Sequence, residues 1–189
     1  MILAQLQNFE WLNDADNVTF TALGMRTESK YGTDFWQNEE AGIHKDSGHF
    51  FYLPRDDNFN LTLCWDAEIN GNFEQCGIMI RIDDKNWIKA SVMFEHKDNP
   101  SIACCVTQNG FSDWASHRLD YLPEKMYYRI KRLHNDYVVY FSDDGENFEQ
   151  IRLVHLKNEH NYPILSGAYI CSPRTSDFSA TLTQLDFSD

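Results

Sequence analysis

Apolar and polar residues alternate along most of this chain, which is the period-two pattern of β-strands with one buried face. The alternating runs are rich in β-branched and aromatic residues, and turn residues such as Asn70-Gly71 and Asn109-Gly110 separate them. The pattern predicts about a dozen strands and no helix. The runs cover residues 18–22, 25–28, 49–53, 59–69, 75–83, 87–95, 102–107, 126–133, 137–142, 148–155, 165–171 and 178–187.

Residues 74–95 contain two such runs around a polar turn at residues 83–86. One face of both runs is apolar and consists of Cys76, Ile78, Ile80, Ile82, Ile88, Ala90, Val92 and Phe94. The other face carries Arg81, Trp87 and Lys89. If the turn closes a hairpin, Arg81 and Lys89 lie near each other on a polar and aromatic face whose opposite side is core. Such a face predicts a binding surface on a β-sandwich.

Length and charge narrow the possibilities. The 189 residues suit one all-β domain, residues 1–189, and 42% of them are hydrophobic, enough to fill a core. The formal net charge of -13 disfavours nucleic acid and anionic membrane surfaces as partners. No run approaches the roughly 20 apolar residues that span a bilayer, and the N-terminal stretch lacks the basic start of a secretory signal. We therefore expect a cytoplasmic protein with no membrane association.

The five cysteines are an odd number, and each lies inside a strand-like run. This favours buried free thiols in a reducing compartment over a disulfide framework. Their spacing matches no zinc pattern, so we expect neither a metal nor another cofactor. Cys104 and Cys105 are adjacent in one run and should point to opposite faces of the strand.

Several short motifs occur in a characteristic order: Thr33-Asp-Phe-Trp36, Gly77-Ile-Met-Ile-Arg81, Trp87-Ile-Lys89, Val106-Thr107, Ser112-Asp-Trp114, Ser142-Asp-Asp-Gly145, Ile151-Arg-Leu153 and Tyr169-Ile-Cys-Ser-Pro173. In this order and spacing they resemble the DUF1349 family over nearly the whole chain. The resemblance implies an all-β, antiparallel two-sheet β-sandwich, a concanavalin A-like jelly roll with one curved sheet. Some family members are labelled regulation-of-enolase proteins, and the family supplies no catalytic mechanism.

Evidence for catalysis is weak in this sequence. Concanavalin A-like glucanases resemble one another in a Glu-x-Asp-x-Glu strand motif, and no such run occurs here. Asp66 and Glu68 are the nearest pair, and carboxylates at that spacing are common on a solvated strand face. Met93 stands where the family pattern usually has Glu, with Glu95 two residues further on the same face. We therefore assign no catalytic residue and regard Arg81 and Lys89 as binding groups.

The sequence offers a mixture of side chains that suits a polar ligand. Aromatic rings stack on apolar sugar faces, while amide, carboxylate and cationic groups bind hydroxyl or carboxylate groups. The predicted ligand-binding residues are Gln75, Arg81, Trp87, Lys89, Asp113 and Trp114. The alternative is structural, with tryptophans that fill the core and Arg81 paired with Glu95 or Asp113.

Three functions remain open from the sequence. The first is a non-catalytic domain that binds a saccharide, a sugar derivative or another anionic small molecule. The second is a regulatory module with a protein partner, which the enolase-related family label suggests and for which the acidity of the chain favours a basic partner surface. The third is a glycan-active enzyme with an unrecognised site.

Overall fold

The computed structural model describes residues 6–96, 99–175 and 177–188, so the first five residues of the N-terminal stretch lie outside the described part. The described residues form a 3-10 turn at Leu6–Asn8 and sixteen strands. The strands are β1 (Glu10–Leu12), β2 (Asp16–Phe20), β3 (Met25–Glu28), β4 (Phe35–Asn38), β5 (Ile43–Asp46), β6 (His49–Arg55), β7 (Phe59–Asp66), β8 (Gln75–Asp83), β9 (Asn86–His96), β10 (Asn99–Gln108), β11 (Phe111–Arg118), β12 (Lys125–Leu133), β13 (Asp136–Ser142), β14 (Glu149–His155), β15 (Ile164–Cys171) and β16 (Ser179–Ser188).

The strands build two antiparallel sheets. One sheet has nine strands in the order β1-β6-β15-β8-β9-β10-β11-β4-β5, and the other has seven in the order β14-β13-β12-β7-β16-β3-β2. Neighbours in the sheets are often distant in the chain, as β15 and β8 are, which is typical of a jelly roll rather than a simple meander. The predicted all-β, two-sheet sandwich is confirmed.

The main core lies between the two sheets. Ile78, Ile80 and Ile88 of the nine-stranded sheet and Leu63 and Ile130 of the seven-stranded sheet are fully buried in it. Their neighbours in each strand point to the other face because successive side chains of a strand alternate. Each fully buried aliphatic side chain contributes about 1.5–3 kcal/mol through the hydrophobic effect, so this core stabilises the sandwich.

All twelve predicted strands are present, with small shifts at their ends, and the structure adds β1, β4, β5 and β11. These additional strands have no apolar face that alternation could reveal. β5 reads Ile-His-Lys-Asp, for example, and is exposed over most of its length. β1 and β5 are the two edge strands of the nine-stranded sheet, and β4 and β11 follow inward from β5.

The hairpin predicted within residues 74–95 is confirmed. β8 pairs with β9 so that Arg81 lies opposite Trp87 and Met79 lies opposite Lys89. Arg81 and Lys89 therefore share one face of the sheet as diagonal neighbours, two residues apart along the ladder. This face points away from the main core.

A second apolar cluster covers that outer face. It consists of Phe35, Phe50, Met79, Trp87, Cys105, Tyr169 and Cys171. The prediction of buried free thiols is confirmed for all five cysteines. Cys104 belongs to the main core and Cys105 to the outer cluster, so the two point to opposite faces as expected. No helix within the described residues is long and apolar enough to cross a membrane.

Candidate functional site

A cleft of about 450 Å³ opens on the outer face of the nine-stranded sheet. Strands β8, β9 and β11 form its floor, the β4–β5 hairpin forms one wall, and the loops after β15 and before β8 complete it. The side chains that line it are Asp34, Trp36, Ile43, Lys45, Phe73, Gln75, Lys89, Glu95, Trp114, Pro173 and Arg174.

The β4–β5 hairpin is held across this face by packing and by ion pairs, of which Arg81–Asp46 is the more buried and Lys85–Glu39 is exposed. The ring of Phe35 lies 6.2 Å from that of Trp87 and 6.3 Å from that of Tyr169, edge to face in both cases. Arg81 donates from Nη1 and Nη2 to the two carboxylate oxygens of Asp46, at 2.6 and 2.8 Å. Such a bidentate pair fixes orientation as well as distance. Together these contacts hold the wall of the cleft against its floor.

Lys89 is the cation of the cleft floor. Its Nζ donates to Asp34 Oδ1 at 3.2 Å and to Gln75 Oε1 at 3.0 Å. Burial is the largest single influence and lowers the pKa of the Lys89 amine, but the Asp34 carboxylate and the nearby Cys171 and Cys105 sulfurs together outweigh it, so the pKa of Lys89 is raised overall. Lys89 therefore acts as a fixed hydrogen-bond donor and not as a neutral amine nucleophile.

Gln75 is fixed in one orientation beside this cation. Its Oε1 also accepts a hydrogen bond from the Tyr169 hydroxyl at 3.2 Å, and its Nε2 donates to the carbonyl of Phe73 at 3.1 Å. The amide therefore presents its oxygen to Lys89 and its nitrogen to the loop before β8. The floor is preorganised before any ligand binds.

Two tryptophans form an aromatic wall. The rings of Trp36 and Trp114 are 6.2 Å apart at an interplanar angle of 70°, and both side chains are half-buried. Trp114 Nε1 donates to Glu95 Oε1 at 3.1 Å, which holds the indole in place. The partly exposed faces of these rings supply apolar surface next to the polar floor.

The predicted ligand-binding residues fall into two groups in the structure. Gln75, Lys89 and Trp114 line the cleft. Trp87 is fully buried beneath the hairpin, and Arg81 pairs there with Asp46 rather than with Glu95 or Asp113. Both therefore support the cleft from below instead of lining it.

Asp113 does not join the cleft. It lies opposite Val106 in the β10–β11 ladder, while Trp114 lies opposite Cys105, so the two adjacent residues point to opposite faces. Asp113 is exposed, and Arg152 Nη2 donates to its Oδ1 at 2.7 Å. The expectation that Asp113 and Trp114 line one cleft together is wrong, because adjacent residues of a strand point to opposite faces of the sheet.

Sequence reasoning missed most of the residues that line the cleft. Asp34, Trp36, Ile43 and Lys45 come from the unpredicted hairpin or the residue before it, and Phe73 and Arg174 come from loops. The Thr33-Asp-Phe-Trp36 motif was the available signal, because it contains two of these residues. Its place opposite Lys89 depends on pairing between distant segments, which a local pattern does not encode.

Comparison with known proteins places the chain beside relatives of the same size. The model of DUF1349, described as a protein of unknown function, matches residues 11–189. The chain is 27% identical over 180 residues to "Regulation of enolase protein 1" of Saccharomyces cerevisiae, and the match covers 95% of this chain and 89% of that protein.

Solved structures show the same fold. A functionally unknown protein from Saccharomyces cerevisiae superposes with a TM-score of 0.88 at 24% identity, covering 97% of both chains. The carbohydrate binding module CBM66 from Bacillus subtilis superposes with a TM-score of 0.58 at 14% identity, covering 96% of both chains. At these identities the superpositions show a common β-sandwich and nothing about residue roles.

Proposed function

Because this chain belongs to the DUF1349 family, whose function is unknown, we propose a function from its own cleft: non-catalytic binding of a saccharide or sugar derivative. The observation that carries the proposal is the Trp36–Trp114 wall beside the fixed Asp34–Lys89–Gln75 floor. The likeness in fold to a carbohydrate binding module is consistent with it.

The aromatic wall suits one side of a sugar ring. The C–H face of a pyranose or furanose is apolar, and exposed tryptophan faces provide a rigid surface that loses little entropy on contact. A cavity of about 450 Å³ lies within the usual range of small-molecule pockets, roughly 300–1,000 Å³. The cleft therefore has room for a monosaccharide or the end of an oligosaccharide.

The polar floor suits the hydroxyl groups of the same ring. Among the described residues, Asp34 Oδ1 accepts from Lys89 and from its neighbour's backbone N–H, while Oδ2 has no partner. Lys89 has three N–H donors, of which two are used. A hydroxyl group both donates and accepts, so it matches the unpartnered Asp34 oxygen as a donor and the remaining Lys89 N–H as an acceptor.

The proposal includes a reducing compartment such as the cytoplasm. All five cysteines are free and buried, which suits a chain that is not exposed to oxidising conditions. Cysteine labelling of the protein isolated from its native source under trapping conditions would test this, and a native disulfide would contradict it.

Glycan-array screening followed by calorimetric titration tests saccharide binding. Trp114→Ala should weaken binding of any hit about tenfold or more, because it removes the stacking surface. Tyr162→Ala is a matched control, since Tyr162 is an exposed aromatic residue outside the cleft. No hit on a broad array, or equal affinity of the Trp114 variant, would overturn the proposal. Mass spectrometry of the recovered glycan separates binding from hydrolysis.

A second candidate is a regulatory module with a protein partner. The name of the yeast relative, which refers to regulation of enolase, is the observation that favours it. The net charge of -13 would then favour a partner with a basic surface. Affinity capture from native extract tests this candidate, and the absence of a stoichiometric partner would count against it.

A further inference from the structure

The charge of the cleft is opposite to that of the whole chain. Of the five ionisable side chains that line it, Lys45, Lys89 and Arg174 are basic and Asp34 and Glu95 are acidic, so its formal charge is +1. The chain carries -13. A concave site with apolar walls concentrates the electric field of its own charges. The excess positive charge of the cleft therefore favours an anionic ligand over a neutral one.

The two inner charges already neutralise each other. Lys89 and Asp34 form the ion pair of the floor, with 3.2 Å between Nζ and Oδ1. Glu95, the other acidic group, accepts the indole N–H of Trp114. The excess positive charge therefore comes from the rim, where Lys45 and Arg174 lie.

Neither rim cation is in a salt bridge within residues 6–96, 99–175 and 177–188. Lys45 projects from β5 directly across the ladder from Trp36. The guanidinium carbon of Arg174 lies 4.6 Å from the centre of the Phe73 ring, a cation–π contact. This contact uses the charge of the guanidinium and none of its N–H groups as hydrogen-bond donors to a carboxylate, so they are available for a carboxylate or phosphate of a ligand.

From this arrangement, and on the premise of the proposed saccharide function, we propose that the ligand is an anionic sugar whose carboxylate or phosphate group binds Lys45 and Arg174. The sugar ring then lies on Trp36 and Trp114, and its hydroxyl groups reach Asp34 and Lys89. Selectivity comes from the rim because the floor charges cancel, and charge-assisted hydrogen bonds are stronger than neutral ones.

Matched pairs of ligands test the inference. Calorimetry or ligand-observed NMR would compare glucuronate with glucose, galacturonate with galactose, and glucose 6-phosphate with glucose. We expect at least one anionic member to bind about tenfold more tightly than its neutral partner at low salt, and the preference to shrink in 0.5 M NaCl, where the Debye length is only about 4–5 Å. The uronate and phosphate arms identify which anion the rim prefers.

Charge-removing variants locate the effect. Lys45→Gln combined with Arg174→Gln should bring the affinity ratio of the anionic to the neutral sugar close to one, because the anionic member loses far more affinity than the neutral member. Lys131→Gln is the control, because Lys131 is an exposed lysine on the seven-stranded sheet. Circular dichroism spectra confirm that all variants are folded.

Each outcome decides between the two proposals. If neutral and anionic sugars bind equally, the saccharide function stands and this inference is overturned. If inorganic phosphate or acetate alone binds as tightly as the anionic sugar, the site is a simple anion site and the inference is also overturned. If no sugar of either kind binds, the proposed function fails together with it.

Discussion

Lys89 and Asp34, 55 residues apart in the chain, form an ion pair at the floor of the cleft with 3.2 Å between Nζ and Oδ1. The pair joins a central strand to the residue that precedes the β4–β5 hairpin. The Lys89 side chain is almost completely buried, whereas 16% of the Asp34 side-chain surface is exposed to solvent. The pair therefore links a buried residue of a central strand to a partly exposed residue that a ligand in the cleft can contact.

Replacing Lys89 with Met should lower the free energy of unfolding by roughly 2–3 kcal/mol, because Asp34 then loses the cation that compensates its partial burial. Urea unfolding monitored by fluorescence measures the change. In the double variant Lys89→Met/Asp34→Asn no charge is left unpaired, so we expect part of the loss to be recovered. A double variant as unstable as the sum of the two single ones would contradict this explanation.

Replacing Arg81 with Met should cost about 3 kcal/mol of stability, since it strands the Asp46 carboxylate and releases the β4–β5 hairpin. Arg26→Ala is the comparison, because Arg26 pairs with Glu28 on the surface and such pairs contribute about 0–1 kcal/mol. The two variants can be compared in the same urea titration. Equal small effects would show that Arg81 does not anchor the hairpin.

Alanine variants of Trp87 and Trp114 should differ in their effects, with the Trp87 change lowering mainly stability and the Trp114 change lowering mainly saccharide affinity. Trp87→Ala removes a fully buried ring and should cost about 3–5 kcal/mol, whereas Trp114→Ala removes a half-buried one and should cost about 1–2 kcal/mol. Saccharide affinity, measured for folded protein, should fall mainly with the Trp114 change. The reverse ranking in thermal unfolding would mean that their places in the structure are misassigned.

The buried thiols should make the protein less stable at alkaline pH. Burial raises the pKa of Cys105 to about 11 and that of Cys171 to about 12. Above about pH 8.5 these thiols ionise in the unfolded chain and stay protonated in the folded one. The unfolded state then binds fewer protons, so stability is complete below that pH and falls as the pH rises toward 11–12.

Urea unfolding at pH 7.5, 9.5 and 10.5 under reducing conditions measures this dependence. Each thiol accounts for a slope of up to about 1.4 kcal/mol per pH unit, so Cys105→Ala should flatten the pH profile by that amount. A thiol reagent at pH 8 should label the native protein slowly and label all five cysteines in denaturant. Rapid native labelling of Cys105 would contradict its burial.

The hairpin of β8 and β9 could be predicted because its signal is local. Each of its strands has an apolar face of alternating residues, and the polar residues between them form the turn. The short strand β5 has no such face, and its partners are decided by contacts with β4 and with Arg81. Predicting Lys45 or Trp36 as cleft residues would require knowing those contacts beforehand.

Asp113 and Trp114 show the same limit at the level of single residues. Both types suit a ligand site, and alternation along one strand already implies that they face opposite ways. The strand itself was not recognised, because its residues do not alternate in polarity, so this constraint could not be applied.

Hydrophobic alternation and turn residues act over a few positions, so they indicated the strands, the buried thiols and the face of the β8–β9 hairpin that carries Lys89, while the two-sheet sandwich followed from the resemblance to the DUF1349 family. The positions of Arg81 and Trp87 beneath a hairpin, and of Asp34, Trp36, Lys45 and Arg174 around a cleft, became known from the three-dimensional structure. Those positions depend on ion pairs and ring contacts between segments that are far apart in the chain. Such contacts form, and stabilise the structure, only after the sheets have brought the segments together.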